Sequence, residues 1–290
     1  MLGSAAAWGA GCAISWGLSD FAARFAGRSV GPLAATFAMM TIGAALIAAV
    51  MAATGQPFDW RLEGFHWLIG IGAGTAFGSI LFFHAITHGP LSLASPVVAC
   101  YPAIAVPISV ALGARPDPLH WGAMVATMGG VWLVARSVPA GETTAPEYAP
   151  AVMRRTIVYS FIAAATFAAS LTAADRAIEI YGPWQTVLVV RLFGAVVLLA
   201  ALVARRAPVR FPVRAWPILA AFGFFDTAGH LLLYTGLGLP NGEYAIVASV
   251  GYTVVTVVLA RTFLREPVSP FQWGGIGLVV GGVGILAAFG

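Results

Sequence analysis

Apolar residues run along this chain in ten blocks of membrane-spanning length, each closed by a short polar stretch. Runs such as 43–54 and 187–204 are too continuous for the alternating strands of a membrane barrel. A bilayer interior offers backbone amides no water, so only helices or closed barrels survive there, and a spanning helix needs about 20 apolar residues. The pattern predicts helices over 3–22, 31–53, 66–86, 91–113, 119–136, 156–174, 183–204, 215–237, 241–263 and 270–288. The first has no cationic region ahead of it and the second follows closely, so it is taken as a retained helix and not as a cleaved signal peptide. One long polar connection, 137–153, carries Pro139, Gly141, Glu142, Pro146, Glu147 and Pro150, the composition of a linker. It divides the chain into five-helix halves, 1–136 and 154–290. Five is odd, so the second half enters the membrane from the opposite face.

The halves repeat. Slid forward by about 152 positions, Pro118, Trp121 and Gly122 fall on Pro270, Trp273 and Gly274, and Gly129, Gly130 and Val131 fall on Gly281, Gly282 and Val283. With the offset changed by one, Gly31, Pro32, Gly43 and Ala44 meet Gly182, Pro183, Gly194 and Ala195. Inverted repeats are a construction plan of transporters, which hold substrate near the midplane where the halves meet. The expected architecture is all-α: ten transmembrane helices in two inverted five-helix repeats around a central cavity.

Composition narrows the function. At 60% hydrophobic and 9% charged residues, a soluble chain of 290 residues could not hide its apolar surface. Cys12 and Cys100 both fall inside predicted helices, so neither a disulfide scaffold nor a thiolate metal site is implied. Every cationic side chain is arginine, and a chain without lysine has no Gly-x-x-x-x-Gly-Lys phosphate loop. The arginines are also sided. Loops after helices one, five, seven and nine hold Arg24, Arg28, Arg136, Arg154, Arg155, Arg205, Arg206, Arg210, Arg214, Arg261 and Arg265. The opposite loops hold Arg61, Arg115 and Arg176 beside Asp59, Glu63, Asp117, Asp175, Glu179 and Glu243. The positive-inside rule places the arginine-rich loops in the cytoplasm and both termini outside, in a bacterial inner membrane. The Arg205 to Arg214 cluster suits a loop beside anionic lipid better than a nucleic-acid site. Expected partners are a small-molecule substrate and the bilayer, with no nucleic acid, no cofactor and no metal, for a chain working as a monomer.

Ionisable groups at membrane depth are functional candidates by default. Asp226 and His230 are four apart on one helix face, and Arg191 lies at a depth that permits an ion pair with Asp226. Two readings stand: a buried pair that fixes packing, or an aspartate and histidine that exchange a proton during transport. Asp20 and His84 sit nearer a surface, as gate or pathway candidates. At mid-depth Trp16, Phe82, Tyr101, Tyr234 and Tyr252 could stack on an apolar substrate or hold a cation by their ring faces; lipid-facing or packing roles are the alternative. Pro96, Pro102 and Pro107 each remove a backbone donor from helix four, which is expected to hinge, with Pro102 as the gating candidate.

The Trp16-Gly17-Leu18-Ser19-Asp20-Phe21 stretch, Gly89 to Pro96, the Tyr101-Pro102 pair, and Arg265-Glu266-Pro267 before Trp273 resemble the EamA family of the drug/metabolite transporter superfamily, over nearly the whole chain. The resemblance implies a basket of ten helices, a cavity lined by helices one, three, four, six, eight and nine, and export of amino acids or other small metabolites. It makes Trp16, Ser19, Phe82, Tyr101, Arg191, Tyr234 and Tyr252 substrate-binding candidates. The chain departs from the family where the glutamate before the last helix of a half is Glu266 in the second but Ala114 in the first. Likewise the second-helix arginine is Arg191 in one half and Met40 in the other. Family members known for cytoplasmic termini also oppose the orientation drawn from charge. The expected activity is a secondary transporter or facilitator exporting aromatic or other apolar amino acids by alternating access. Organic cations such as quaternary amines are the alternative. An intramembrane enzyme would need paired carboxylates, a metal set or a nucleophile with its base at one depth, and Asp226, His230 and His84 supply none.

Overall fold

A computed structural model describes residues 4–88, 94, 97–113, 115–136, 149–206, 210–263 and 270–289, and among these every regular element is helical. In chain order they are α1 Ala5–Val30, α2 Pro32–Thr54, α3 Phe65–His88, α4 Pro102–Ala111, α5 Pro118–Arg136, α6 Pro150–Ala204, a 3-10 turn Val213–Ala215, α7 Trp216–Leu237, α8 Glu243–Ser249, α9 Tyr252–Phe263 and α10 Pro270–Phe289. Four segments, Pro32–Thr54, Phe65–Ala85, Pro150–Ala204 and Val213–Leu237, are long and apolar enough to cross a membrane by themselves.

At 55 residues α6 would reach about 80 Å as a straight rod, far more than one crossing of a roughly 30 Å hydrocarbon core. It turns at Gly182, whose φ of 71° and ψ of 167° are open to glycine, and Pro183 restarts the helix where its missing N–H is no loss. The first half makes the same turn at Gly31, φ 85° and ψ 150°, followed by Pro32 at the start of α2. Both helices before these turns outlast the sequence prediction: α1 continues past 22 to Val30, and α6 is helical through 175–181, where a loop was expected. The prediction followed the apolar run, but the residues beyond it are good helix formers. Arg176 and Glu179 also pair at 3.0 Å on the helix surface.

Two other predicted helices are divided. The stretch before α4 is helical at Ala94 and at 97–98, winds tightly with Tyr101 N–H donating to the Val98 carbonyl at 3.0 Å, and resumes as α4. Pro102 is therefore the first residue of a helix and not a break within one; Pro107 is the proline inside α4. The 241–263 helix is likewise split into α8 and α9 by Val250 and Gly251, with Gly251 N–H donating to the Ala248 carbonyl at 3.1 Å. Both divisions use i to i+3 bonds, the tighter winding of a 3-10 turn. Pro96, the Gly89 to Leu93 part of the motif, the 137–148 part of the linker and Arg265-Glu266-Pro267 lie outside the described residues.

Packing exchanges the halves. α1 lies along α7, α3 lies along α6, and α5 crosses α10. A side chain at Gly72 would meet Phe193 and the Val190 carbonyl, and one at Gly223 would meet Ile42 and the Met39 carbonyl, each residue 151 positions from its counterpart. Gly78 faces Phe167 just as Gly229 faces Trp16. At the α5 and α10 crossing, Gly130 abuts the Gly275 backbone while Gly282 abuts that of Ala123. Lipid gives helices little hydrophobic reason to associate, so such close approaches over small residues carry the packing. Large apolar side chains such as Val125, Val196 and Val203, all more than 60% exposed, cover the outside, a surface suited to hydrocarbon.

Gly130→Ala would set a Cβ 2.6 Å from the Gly275 carbonyl oxygen and 2.8 Å from the Val279 backbone nitrogen, neither of which can step aside. The expected loss is about 1–3 kcal/mol, read as a lower melting temperature of the detergent-solubilised protein. Gly129→Ala, where nothing lies within 4 Å, should hold or raise that temperature.

Candidate functional site

A cavity of about 120 Å³ lies where α1, α2, α3, the Tyr101 turn, both sides of the repeat and α9 converge. Its wall is asymmetric. On α7, Asp226 and His230 point inward one turn apart; at the matching register on α3, 151 positions earlier, stand Thr75 and Ser79. One wall carries charge and the facing wall carries hydroxyls.

Arg191, on the second arm of α6, organises the charged wall from behind. Its side chain is 2% exposed, and it forms a buried ion pair with the Asp226 carboxylate. Nη2 also lies 2.9 Å from His230 Nδ1, and Nη1 donates to the thioethers of Met39 at 2.9 Å and Met40 at 3.3 Å. A guanidinium removed from water needs a counter-charge and partners for its N–H groups, and these four supply them. Gly43 packs against the Thr227 side chain, which leaves no space for a Cβ, and lies in ordinary contact with the Arg191 stem; in the other half Gly194 faces Met40 sulfur at 3.2 Å. The repeat thus keeps the glycine and changes its partner.

His230 joins this pair to the aromatic lining. Trp16 Nε1 donates to His230 Nδ1 at 3.3 Å, and the two rings sit edge to face at 4.9 Å. The Asp226 carbonyl oxygen is 2.9 Å from the same nitrogen. Asp226 Oδ2 also lies 3.4 Å from it, so two N–H donors and two oxygen acceptors meet at this nitrogen, and either tautomer or the imidazolium finds partners there. Tyr252 stands edge-on to Trp16 at 6.2 Å and Tyr234 edge-on to His230 at 6.1 Å, so four rings frame the space. Tyr101 is bonded across to Ser249; since Ser249 Oγ donates to the Ile246 carbonyl at 2.8 Å, the Tyr101 hydroxyl is the donor. The hydroxyls of Tyr234 and Tyr252 have no hydrogen-bond partner among the described residues.

Of the residues singled out from sequence, Trp16, Asp20, Phe82, Tyr101, Asp226, His230, Tyr234 and Tyr252 line the cavity. Arg191 does not: it lies behind Asp226 and His230. Ser19 is 1% exposed, its hydroxyl buried without a partner among the described residues, and it is not part of the wall. Pro102 is buried at the start of α4, outside the wall. His84 is partly buried beside the Tyr159 ring, 5.2 Å away, and also lies off the cavity. Sequence reasoning missed Met39, Met40, Thr75, Ser79, Phe83 and Phe167. The repeat could have found several: Phe167 is the counterpart of Trp16, and Phe83, at the 151 offset seen in α3 and α7, is that of Tyr234. Among the described residues no group of three histidine, cysteine, aspartate or glutamate side chains is placed to hold a metal ion.

Comparison with known proteins adds three findings. The sequence pattern of the EamA-like transporter family matches residues 3–136 and again 154–288. A solved crystal structure of a protein 21% identical superposes with a TM-score of 0.82 over 100% of both chains, a likeness of fold. No curated protein matches the chain.

Arg191→Met, which installs the residue of the opposite half, leaves Asp226 buried without its counter-charge. The expected destabilisation is about 3–5 kcal/mol. Adding Asp226→Thr, which copies the first half at both ends of the ion pair, should restore most of it in thermal unfolding of the purified protein.

Proposed function

The chain belongs to the EamA-like transporter family, and from that premise we propose that it is a ten-helix carrier whose inverted halves alternate access to the central cavity, exporting amino acids with aromatic or other apolar side chains. The observation that carries this reading is the wall: carboxylates of Asp20 and Asp226, the His230 ring and free tyrosine hydroxyls beside Trp16, Phe82 and Phe167. An α-ammonium group finds its counter-charge at Asp20. A carboxylate finds donors in His230, in the ring states that carry Nε2–H, and in the hydroxyls of Tyr234 and Tyr252, with Thr75 and Ser79 across the space. An apolar side chain stacks among the rings. Arg191 acts as a positioning residue in this reading, holding Asp226 and His230 while its own N–H groups are spent.

Inversion is supported by the odd number of predicted helices in each half and by packing in which α1 with α7 trades places with α6 and α3. The paired divisions at Ala99 to Tyr101 and at Val250 to Gly251 support alternating access, since carriers use discontinuous helices beside the substrate. Tyr101 and Tyr252, 151 positions apart, sit at these divisions and on the cavity wall. The arginine-rich face is read as cytoplasmic and the membrane as the bacterial inner membrane.

One observation favours a second substrate class. With Arg191 and Asp226 engaged by each other, the wall keeps one unpaired acid, Asp20, and several ring faces but, among the described residues, no unengaged cation, which suits a quaternary amine.

Proteoliposomes given labelled aromatic amino acids and choline, with and without a pH gradient, test both. Amino-acid flux that falls at least tenfold in Trp16→Ala and in Asp20→Asn is the expected result; choline flux alone would move the assignment to organic cations. Flux that follows the pH gradient in wild type and not in Asp226→Asn would make the Asp226 and His230 pair a proton relay, against the packing role that Arg191 gives it here. Pro102→Ala should slow transport if the winding before α4 flexes.

A further inference from the structure

One turn beyond Tyr234 along α7, Leu237 belongs to a different space. A cavity of about 540 Å³ opens there, on the face opposite the arginine-rich loops, between α4, the first arm of α6 and the α7 to α8 connection. Leu171 and Tyr234 bound the central cavity, while Thr172 and Leu237 bound this one, so a single layer of side chains parts them.

Its charge is one-sided. Asp175, Glu179 and Glu243 face it, with Arg176 as the cation, and Arg176 is bonded to Glu179 at 3.0 Å. Two carboxylates remain. Glu243 is 8% exposed and has no hydrogen bond or ion pair among the described residues. Asp175 buries Oδ1 without a partner. A carboxylate withdrawn from water and left unpaired is unfavourable, so a pair of them around one space marks a place where an incoming cation is favoured. The carboxylates are not gathered tightly enough for a metal ion. Trp67, Leu112 and Leu237 supply apolar wall for the carbon skeleton of an organic cation.

We propose that this vestibule is a second binding site, for an ammonium head group, at the mouth of the path on the acidic face. Glu243 and Asp175 hold the charge, Trp67 and Leu237 cover the alkyl part, and the Tyr234 layer separates this stop from the central one. Its place on a path rests on the transporter reading; the binding itself does not.

Calorimetric titration of the purified full chain with choline tests it, with acetate as the anionic control. Wild type should bind choline and not acetate, and Glu243→Gln should weaken binding at least tenfold while Glu243→Asp retains most of it. Asp175→Asn serves as the second variant should Glu243→Gln lower the melting temperature, and it should weaken binding likewise. Unchanged choline affinity in these variants, loss confined to Asp20→Asn in the central cavity, or no choline binding in wild type would each overturn the proposal. A chain that binds choline here yet transports nothing upholds the site and defeats the transport reading; transport with Glu243-independent binding does the reverse.

Discussion

The Arg191 guanidinium is the group around which the middle of this protein is arranged. Buried among α2, α6 and α7, it can stay charged because Asp226, His230 and two methionine sulfurs meet it from three directions. Each polar partner is thereby fixed: Asp226 and His230 are held on the cavity wall, and His230 is oriented for Trp16. Removing the cation would free a charge with nowhere to go, so the wall and the packing behind it are one construction.

Symmetry of packing and asymmetry of chemistry coexist here. Gly72 and Gly223 meet partners at matching positions of the two halves, down to the carbonyl group. The polar residues of the cavity do not repeat, Asp226 answering Thr75 and His230 answering Ser79, with Arg191 behind them answering Met40; the rings do, Tyr101 answering Tyr252 and Trp16 answering Phe167. A duplicated scaffold therefore encloses a cavity with a charged side and a hydroxyl side, two ends that a symmetric pocket would not have.

Position along the chain was legible in the sequence, and direction around the helix was not. Apolar blocks located the helices, and the Gly31-Pro32 and Gly182-Pro183 pairs that match in the repeat are turns of similar backbone angles. Eight of the twelve candidate residues line the cavity because polar and aromatic residues at mid-depth have few favourable alternatives. Arg191 and Ser19 were at the right depth but face neighbouring helices. A helix apolar on every side carries no stripe to say which face turns inward, so Met39 gave no signal and Met40 stood out only as the counterpart of Arg191. The division at Gly251 was hidden for a related reason: it lies inside an apolar run without proline, and a tight turn of 3-10 winding changes hydrogen bonding without changing composition, whereas Pro102 did mark the one beside Tyr101.

The crossing of α5 and α10 has a mechanical meaning. Most helix pairs interlock side chain into groove, and turning one against the other means lifting every tooth. The α5 and α10 pair does this at close quarters and twice over: the Val279 side chain seats against Gly130 and the Thr127 side chain against Gly282, beside the Gly275 and Ala123 carbonyls. Such a contact works as a latch: it holds the two helices at one spacing and leaves relative motion of the halves to the helices around the cavity.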